Sequence, residues 1–418
     1  MTKLIEPRTL AGFRDFLPEQ MVVRKKVIKN FTEVFEKYGF LPLETPALEY
    51  QDVLLGKYGP EAEKLMYLFD DQGQRKVGMK YDLTVPTARV IAQYPQIPKP
   101  FKRYQIQPVW RADKPQKGRY REFTQCDIDT FGVSCSLADA EIIAVITEAL
   151  KGVDFKEFAV RINSRQVLFS VMEKAGLGKD KFLTAIQSID KLDKKPQTEI
   201  EKELVEKGFS KDTVKNIFTG LKTAEPDPNL KQILELLEKF RVPKENYSFD
   251  PTLARGLDYY TGAIFETMVT NPKIGSITGG GRYDNLIEQF TGQSVTAVGT
   301  TIGLDRVCDV ITEINLWPNM AKTPSQVLVT IFSSNLADKS LEIANLLRLK
   351  NINTEIYLDA SAKLDKQLKY ADQKGIPFVI IIGPDEEKNN LVTLKNLATK
   401  TQTTTKLEDA IATLQHDV

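Results

Sequence analysis

Histidine and cysteine are scarce in this chain of 418 residues, and both shortages restrict its chemistry. The single histidine, His416, lies three residues from the end of the sequence. Unless that residue takes part, catalytic triads and general bases built on histidine are excluded. The cysteines Cys126, Cys135 and Cys308 form no C-x-x-C pair, so we expect no protein-bound zinc. Arginines, carboxylates, tyrosines and the backbone must carry any catalysis.

Long apolar runs and a bias toward one sign of charge are also missing. With 57 basic and 56 acidic residues the net charge is +1, so nucleic acid would have to bind local basic surface. The first eight residues resemble neither a secretory core nor an organelle-targeting segment. We expect a cytoplasmic protein without membrane contact, and the length favours two or three domains.

The first part of the chain alternates helical and strand patterns. Apolar residues recur at helical spacing from Met21 to Tyr38, which predicts an amphipathic helix. Strands joined by polar turns follow and favour an antiparallel sheet. The predicted strands are Leu65–Phe69, Val77–Lys80, Tyr104–Arg111 and Glu122–Phe131. A helix at Leu137–Leu150, a strand at Ala159–Asn163 and a helix at Gln166–Ala175 come next.

From Lys179 to Lys244 the sequence is rich in lysine and glutamate and has no strand pattern, which indicates an inserted helical subdomain. Strand patterns then resume, so residues beyond the insertion complete the sheet: Phe249, Gly262–Val269 and Thr296–Ile302. After a proline-containing linker at Pro318–Pro324, alternating strands and helices predict a separate α/β domain with a parallel sheet. These elements are Val327–Phe332, Asp338–Lys350, Thr354–Leu358, Lys363–Lys374 and Phe378–Ile382.

The segment Val109–Asp129 has the most specific chemical pattern in the chain. One strand leads to Arg111, and a cationic loop leads back into a second strand. The loop carries Lys114, Lys117, Arg119 and Arg121, and one face of the return strand carries Phe123, Gln125, Asp127 and Asp129. Such a layout can clamp a polyphosphate beside carboxylates. Taken alone, it is more typical of a solvated hairpin with charged edges.

This segment closely resembles motif 2 of the histidine–tRNA ligase family, whose arginine-rich hairpin holds ATP and the tRNA acceptor end. Leu253–Glu266 resembles the family's histidine-specific segment, and Gly279–Leu286 with Val298–Arg306 resembles motif 3 and its approach. Gly12–Pro18 also fits, and the resemblance runs essentially from end to end. The glycines Gly279–Gly281 match no nucleotide-binding fingerprint and indicate either close approach to the backbone or a bulge or turn.

The resemblance implies an α+β class II synthetase catalytic domain, an antiparallel sheet flanked by helices, over residues 1–322. A helical insertion domain would interrupt it at residues 179–244, and an α/β anticodon-binding domain would follow at residues 325–418. The implied activity is activation of L-histidine with ATP, accompanied by Mg²⁺, and transfer of histidine to tRNA(His). The implied assembly is a homodimer formed through about Val22–Glu49.

The resemblance also implies roles for individual residues. The catalytic cations would be Arg111, Arg255 and Arg306. ATP would be bound by Arg111, Asp113, Arg119, Phe123 and Arg306, with the Phe123 ring stacked on adenine. Histidine would be bound by Asp82, Leu83, Thr84, Arg111, Gln125, Asp129, Arg255, Tyr259, Tyr260 and Tyr283.

Two relatives of the same fold are alternatives. A catalytically silent regulatory subunit of ATP phosphoribosyltransferase, from histidine biosynthesis, would lack the anticodon-binding domain and parts of the arginine motifs. A synthetase for proline, threonine or glycine would lack the segment Arg255–Tyr260. This chain retains all of these features, which favours the histidine enzyme.

Overall fold

The computed structural model describes residues 4–56, 63–116, 118–255, 259–269, 271–272, 274–318 and 320–416. The chain divides into two compact units. The larger comprises residues 1–15 and 26–316, and the smaller comprises residues 16–25 and 317–418. No helix among the described residues is both long and apolar enough to cross a membrane.

Two sheets form the framework of the larger unit. Its strands are β1 (Leu41–Pro42), β2 (Leu48–Tyr50), β3 (Leu68–Asp70), β4 (Lys76–Met79), β5 (Phe101–Trp110), β6 (Glu122–Phe131), β7 (Phe158–Ser164), β8 (Tyr247–Phe249), β9 (Ala263–Val269), β10 (Ser276–Arg282) and β11 (Ala297–Gly303). An eight-stranded sheet has the order β1-β5-β6-β11-β10-β9-β7-β8, and a three-stranded sheet has the order β2-β4-β3. Neighbours from β5 to β7 are antiparallel, whereas β1 and β8 pair in parallel at the edges. The larger sheet is therefore mixed, and the predicted antiparallel arrangement holds for its six central strands.

Helices flank this framework and end close to the predicted bounds where their apolar periodicity is strong. They are α1 (Pro18–Lys37), α2 (Gln51–Leu54), α3 (Thr84–Gln93), α4 (Ser136–Gly152), α5 (Arg165–Lys174), α6 (Phe182–Ile189), α7 (Gln197–Glu206), α8 (Lys211–Thr223), α9 (Pro228–Lys239), α10 (Glu288–Thr291) and α11 (Leu304–Glu313). Helix α4 is apolar on nearly every side because it is buried against the sheet.

The lysine- and glutamate-rich segment forms helices α6 to α9, as predicted, and packs against the rest of the larger unit. Helix α9 lies along α4, and α8 lies along α5. Asp227 caps α9 by accepting the Leu230 amide at 2.9 Å, and its other carboxylate oxygen accepts the Ser164 hydroxyl at the end of β7. The insertion is thereby attached to the central sheet.

The smaller unit contains a five-stranded sheet of order β13-β12-β14-β15-β16. Its elements are β12 (Val327–Val329), α12 (Ala337–Leu349), β13 (Thr354–Ile356), α13 (Leu364–Lys374), β14 (Phe378–Ile381), α14 (Pro384–Asn389), β15 (Val392–Asn396), β16 (Gln402–Thr405) and α15 (Leu407–His416). The three predicted strands, β12, β13 and β14, are parallel as expected, and two strands that were not predicted, β15 and β16, extend the sheet in antiparallel fashion. Asn390, in the left-handed conformation, ends α14 and turns the chain back into β15.

Candidate active site

The candidate site lies on one face of the eight-stranded sheet, where directly paired residues form rows across six strands. The first row, from β5 to β7, is Gln105, Asp127, Thr301, Gly279, Glu266 and Arg161. The second, two residues away on each strand, is Arg103, Asp129, Gly299, Gly281, Ile264 and Asn163. The predicted common face of Gln125, Asp127 and Asp129 is confirmed by this register. Because so many polar and charged side chains lie on this face of the sheet, they must pair with one another within the site.

Three glycines in these rows leave space for functional side chains. A Cβ atom at Gly279 would lie 2.5 Å from Nη2 of Arg255, and one at Gly281 would lie 2.8 Å from the Tyr260 ring. A Cβ at Gly299 would overlap the Asp129 carboxylate. The glycine segment is thus a strand, β10, approached closely by side chains of the protein itself. The sequence left open a close approach or a bulge or turn; at Gly279 and Gly281 the close neighbours are the Arg255 and Tyr260 side chains, and approach of a ligand stays a prediction.

Asp129 is held in the site from two sides. The Tyr283 hydroxyl donates to its Oδ1, and Nη2 of Arg103 lies 2.5 Å from its Oδ2. Arg103 is fully buried, and the same nitrogen lies 3.9 Å from Asp127. Arg103 was not predicted from the sequence as a site residue. The available signal was the polar alternation of Arg103, Gln105 and Gln107 along one face of a strand.

Burial controls the ionisation of the two aspartates. It raises the pKa of Asp129 above its ordinary value, while Arg103 and the Tyr283 hydroxyl oppose the increase. It raises the pKa of Asp127 to about 7 despite the nearby Arg103 guanidinium, and the charge of Asp129 adds to the increase. Asp127 therefore changes charge close to neutral pH.

Three tyrosines surround the pocket that contains the carboxylates of Asp127 and Asp129. The rings of Tyr259 and Tyr260 have centroids 4.8 Å apart, and Tyr259 meets Tyr283 edge-on at 5.9 Å. Burial raises the pKa of Tyr259 and of Tyr260, and the charge of Asp82 adds to both increases. The charge of Asp82 also raises the pKa of Asp129, so this carboxylate lies close enough to act on all three groups.

Asp82, Leu83 and Thr84 lie where the chain enters helix α3. Oδ1 of Asp82 accepts the Val85 amide at 3.0 Å, Leu83 is fully buried, and Thr84 is the first residue of the helix. This helix was not predicted from the sequence. Its first turn gives these three residues a fixed backbone.

Gln125 offers an acceptor to the pocket. Its Nε2 donates to the Thr301 hydroxyl at 2.8 Å. Its Oε1 is buried and has no hydrogen-bond partner among the described residues. A buried acceptor of this kind is suited to a ligand that donates hydrogen bonds, such as an ammonium group.

Arg111 follows strand β5, and its guanidinium lies over two aromatic rings. Its Nε donates to the Tyr81 carbonyl at 3.0 Å, and its guanidinium lies 4.3 Å from the Tyr81 ring centroid and 5.1 Å from that of Phe123. Cation–π contacts of this length fix the guanidinium plane without neutralising its charge. Phe123 is half-buried on the facing strand β6, where it pairs with Val109.

Two further arginines complete a cationic wall. Arg119 forms a bidentate pair with Asp113, with Nε–Oδ2 and Nη2–Oδ1 distances of 3.0 and 2.9 Å. Arg306 donates to the carbonyls of Gly118 and Ser276. Burial lowers the pKa of Arg306, and the charges of Arg111 and Arg119 lower it further, so these guanidinium groups converge. Lys117, also expected in this loop, lies outside the described residues.

Arg255 lies between the arginines just described and the pocket walled by the three tyrosines. Its Nη1 lies 2.7 Å from Oε1 of Glu266 on β9. Burial opposes its charge, but Tyr260 and Glu266 raise the pKa of Arg255, so it remains a cation. Its charge also lowers the pKa of Arg306. The adjoining residues 256–258 of the predicted histidine-specific segment lie outside the described residues.

The geometry separates two kinds of surface on one sheet face. Converging arginines beside a half-buried aromatic ring suit a nucleotide triphosphate, and buried carboxylates, tyrosines and Gln125 suit a small ligand with several donors. Together with the mixed sheet and its arginine-rich hairpin, this arrangement defines the catalytic domain of a class II aminoacyl-tRNA synthetase.

Comparison with known families makes the assignment specific. The family model described as Histidyl-tRNA synthetase matches residues 12–307, and the model described as Anticodon binding domain matches residues 326–417. The chain belongs to the histidyl-tRNA synthetase family.

Individual relatives agree along nearly the whole chain. The Histidine–tRNA ligase of Cytophaga hutchinsonii is 41% identical, over 94% of this chain and 96% of its own length. That of Rhodopirellula baltica is 40% identical, over 95% of each. The crystal structure of histidyl-tRNA synthetase from Nostoc sp. PCC 7120 has a TM-score of 0.88 at 28% identity and covers 99% of this chain and 100% of that one.

A structure from Bacillus halodurans described as an ATP phosphoribosyltransferase regulatory subunit/histidyl-tRNA synthetase shares the fold, with a TM-score of 0.75 at 21% identity, over 88% of this chain and 97% of that one. The regulatory-subunit alternative is not favoured, because the ligases match across both the catalytic and the anticodon-binding regions.

Proposed function

We propose that this protein activates L-histidine with MgATP to form histidyl-adenylate and then transfers the histidine to tRNA(His). The observation that carries the proposal is the convergence of Arg111, Arg119, Arg255 and Arg306 beside the buried pocket of Asp129 and its tyrosines. Family membership selects histidine among the amino acids that such a site could activate.

The arginines would act on the charge that develops during adenylation. The histidine carboxylate attacks the α-phosphate, pyrophosphate leaves, and negative charge accumulates on the phosphoryl oxygens. Arg111 would contact both the α-phosphate and the carboxylate, Arg255 would approach from the tyrosine side, and Arg306 would lie over the nucleotide. Guanidinium groups suit this task because they stay charged at any working pH and bind phosphate through two nitrogens.

Residues of the β5–β6 hairpin would complete the binding site for the nucleotide. The half-buried ring of Phe123 would stack on adenine, while Asp113 and Arg119 would hold the rest of ATP. Mg²⁺ would enter with the triphosphate as part of the substrate. The position of Arg111 over Phe123 supports this placement, since it brings the ring and the phosphate-binding cation together.

Histidine would be recognised at both ends. Asp82, Thr84 and the unpartnered Gln125 oxygen would accept from its ammonium group beside the Leu83 backbone. Asp129 and Tyr260 would bind the imidazole, which when neutral offers one donor and one acceptor. Tyr259 and Tyr283 would wall the pocket. A side chain without these groups would leave buried polar atoms unpaired, which gives discrimination without an editing step.

The remaining assignments concern the domains and the assembly. Residues 1–322 would be the catalytic domain, with the insertion at residues 179–244, and residues 325–418 would bind the anticodon. A cytoplasmic homodimer would form around Val22–Glu49. Exposed apolar side chains on β1 to β3 support this interface: Leu41, Leu48, Tyr50, Leu68 and Phe69.

ATP–pyrophosphate exchange with each of the twenty amino acids tests the proposal. We expect histidine alone to drive exchange. Equal exchange with proline or threonine would show that the pocket has another specificity, and no exchange with any amino acid would refute the activity. Sedimentation of the same sample would test the dimer.

A further inference from the structure

A chain of ion pairs runs from Arg255 across the sheet to the helical insertion. Glu266 on β9 uses both carboxylate oxygens. Its Oε1 lies 2.7 Å from Nη1 of Arg255, and its Oε2 lies 3.7 Å from Nη1 of Arg161 on β7. Arg161 and Glu266 are direct partners in the strand register, so both side chains project from the same face of the sheet.

Arg161 is in turn held by two further carboxylates. Its Nε donates to Asp250 at 2.7 Å, and its Nη1 lies 2.9 Å from each carboxylate oxygen of Asp193. Asp193 belongs to the insertion, between helices α6 and α7. Burial opposes the charge of Arg161, but Asp193 and Asp250 raise its pKa above the ordinary value. The insertion therefore contributes directly to the environment of a cation in the central sheet.

Nη1 of Arg161 is shared unequally between two carboxylates, so the loss of one partner would change its contact with the other. Asp193 is the closer partner of Arg161, at 2.9 Å against 3.7 Å for Glu266. Without the Asp193 charge, Arg161 would move toward Glu266 and draw that carboxylate away from Arg255. Charge-assisted pairs compete in this way because each donor has a fixed fork geometry.

Arg255 also contacts the Tyr260 side chain, but the carboxylate paired with it is Glu266. Gly279, the residue paired with Glu266, has no side chain, and the guanidinium lies over its Cα. Glu266 is thus the carboxylate that orients Arg255. A second residue of the insertion, Asp190, also raises the pKa of Arg255 through its charge.

We propose that the helical insertion takes part in amino-acid activation, with Asp193 acting through Arg161 and Glu266 to position Arg255. Arg161, Glu266 and Asp193 are positioning residues, and the insertion is a structural part of the adenylation site. This inference rests on the proposed function, in which Arg255 stabilises the transition state. Displacing that guanidinium by a few tenths of an ångström would lower kcat more than it would weaken substrate binding.

The test is histidine-dependent pyrophosphate exchange, without tRNA, by Asp193→Asn, Asp193→Glu and the wild type. Because the Asp193 side chain is 39% exposed, its substitution should leave the fold intact. We expect Asp193→Asn to lower kcat about three- to tenfold with KM for histidine changed less than about twofold, in the range of measured couplings between interacting residues. Asp193→Glu should restore most of kcat, since it returns the charge. Asp180→Asn, the same chemical change elsewhere on the insertion, should leave kcat unchanged.

A double-mutant comparison shows whether the effect passes through Glu266. In a Glu266→Gln background, Asp193→Asn should cause no further loss of kcat. Full additivity of the two changes, an unchanged kcat for Asp193→Asn, or an equal loss in Asp180→Asn would each overturn the proposal. An inactive wild type would instead refute the proposed function itself, so the two failures are distinct.

Discussion

At the scale of single residues, Arg255 is the side chain whose contribution to catalysis can be separated most clearly from binding. It is a cation held by one carboxylate, next to the converging arginines of the hairpin. Replacing it by alanine should raise the activation barrier for exchange by about 3 kcal/mol or more, as when a donor to a developing oxyanion is lost. Steady-state exchange kinetics should show the loss in kcat, with a smaller change in KM for histidine.

Arg8→Ala provides a control for Arg255→Ala, since Arg8 is an exposed arginine outside the site. Its kinetics should match those of the wild type. Unchanged turnover of Arg255→Ala together with a raised KM would assign this arginine to uniform substrate binding and contradict the prediction.

Asp127 makes stability depend on pH in a predictable direction. Its pKa is raised from an ordinary 3.8 to about 7, so the folded state keeps this proton over a range in which the unfolded state has lost it. The stability gained from the neutral form is complete below about pH 4 and is lost as the pH rises through about 7. An amide side chain cannot ionise, so Asp127→Asn should gain on the order of 2–4 kcal/mol relative to the wild type between those limits.

Urea unfolding of both proteins at several pH values between 4 and 8 would measure this difference. A difference in unfolding free energy that stays constant across the range would show that Asp127 is ionised throughout. Asp15→Asn makes the same chemical change at an exposed position and is the matched control.

At the scale of elements, neighbouring glycines of β10 should respond to substitution in opposite ways. Gly279→Ala would meet the guanidinium of Arg255 at 2.5 Å, which is the movable end of a side chain. Gly280→Ala faces the other side of the sheet and would meet the backbone of β11, with Cα of Thr300 at 2.7 Å. We expect Gly279→Ala to fold normally but lose kcat about tenfold or more through displacement of Arg255. Gly280→Ala should lose about 2 kcal/mol or more of stability.

Thermal melting and exchange kinetics on both variants would distinguish the two effects. Equal loss of stability in Gly279→Ala and Gly280→Ala would mean that β10 tolerates no side chain on either face. Wild-type kcat in Gly279→Ala would mean that Arg255 is not needed where it lies.

A comparison of strands β6 and β10 shows why part of the fold could not be predicted from the sequence. Strand β6 was predicted with its observed bounds, Glu122–Phe131, because its alternation of polar and apolar residues has a period of two. Strand β10 contains three consecutive glycines and has no such pattern. Strand β16, Gln402–Thr405, is polar and largely exposed, and it too was missed. Where side chains do not sort between core and solvent, the period that predicts a strand is absent.

The candidate site had a similar limit. Motif positions predicted residues such as Arg111 and Asp129, whose roles remain predictions, and the structure places Asp129 on β6 and Arg111 directly after its partner strand β5. Arg103 could not be identified, because its importance comes from a long-range pairing between β5 and β6 and from complete burial. A charged residue in a strand is ordinarily a surface residue, and only the neighbouring carboxylates reverse that expectation.

At the scale of the whole molecule, the residues assigned to adenylation precede Leu316, whereas Trp317–Val418 lie in the smaller unit. Deleting the chain from Ser325 should leave histidine-dependent exchange largely intact and strongly reduce aminoacylation of tRNA. The smaller unit has its own sheet and core, so its removal should not unfold the site. Aminoacylation by the intact protein should weaken as salt rises, as expected for binding to a phosphate backbone.

Both activities should be measured together with the oligomeric state and the melting temperature of the truncated protein. The segment Phe16–Lys25 belongs to the smaller unit but remains after truncation. A change in the oligomeric state or in the melting temperature would therefore be attributed to this segment. Full aminoacylation efficiency in the truncated protein would show that residues 325–418 do not hold the anticodon.

The position of His416, at the end of α15 in the smaller unit, has a consequence for spectroscopy. The sequence contains no other histidine, so the larger unit contributes no imidazole signal. In a nitrogen NMR spectrum, the ring of ¹⁵N-labelled histidine bound to unlabelled protein would be observed without overlap, and in uniformly labelled protein it would compete with a single background residue. The tautomer and protonation state of the bound ring could then be read directly from its chemical shifts, which would test the proposed pairing with Asp129 and Tyr260.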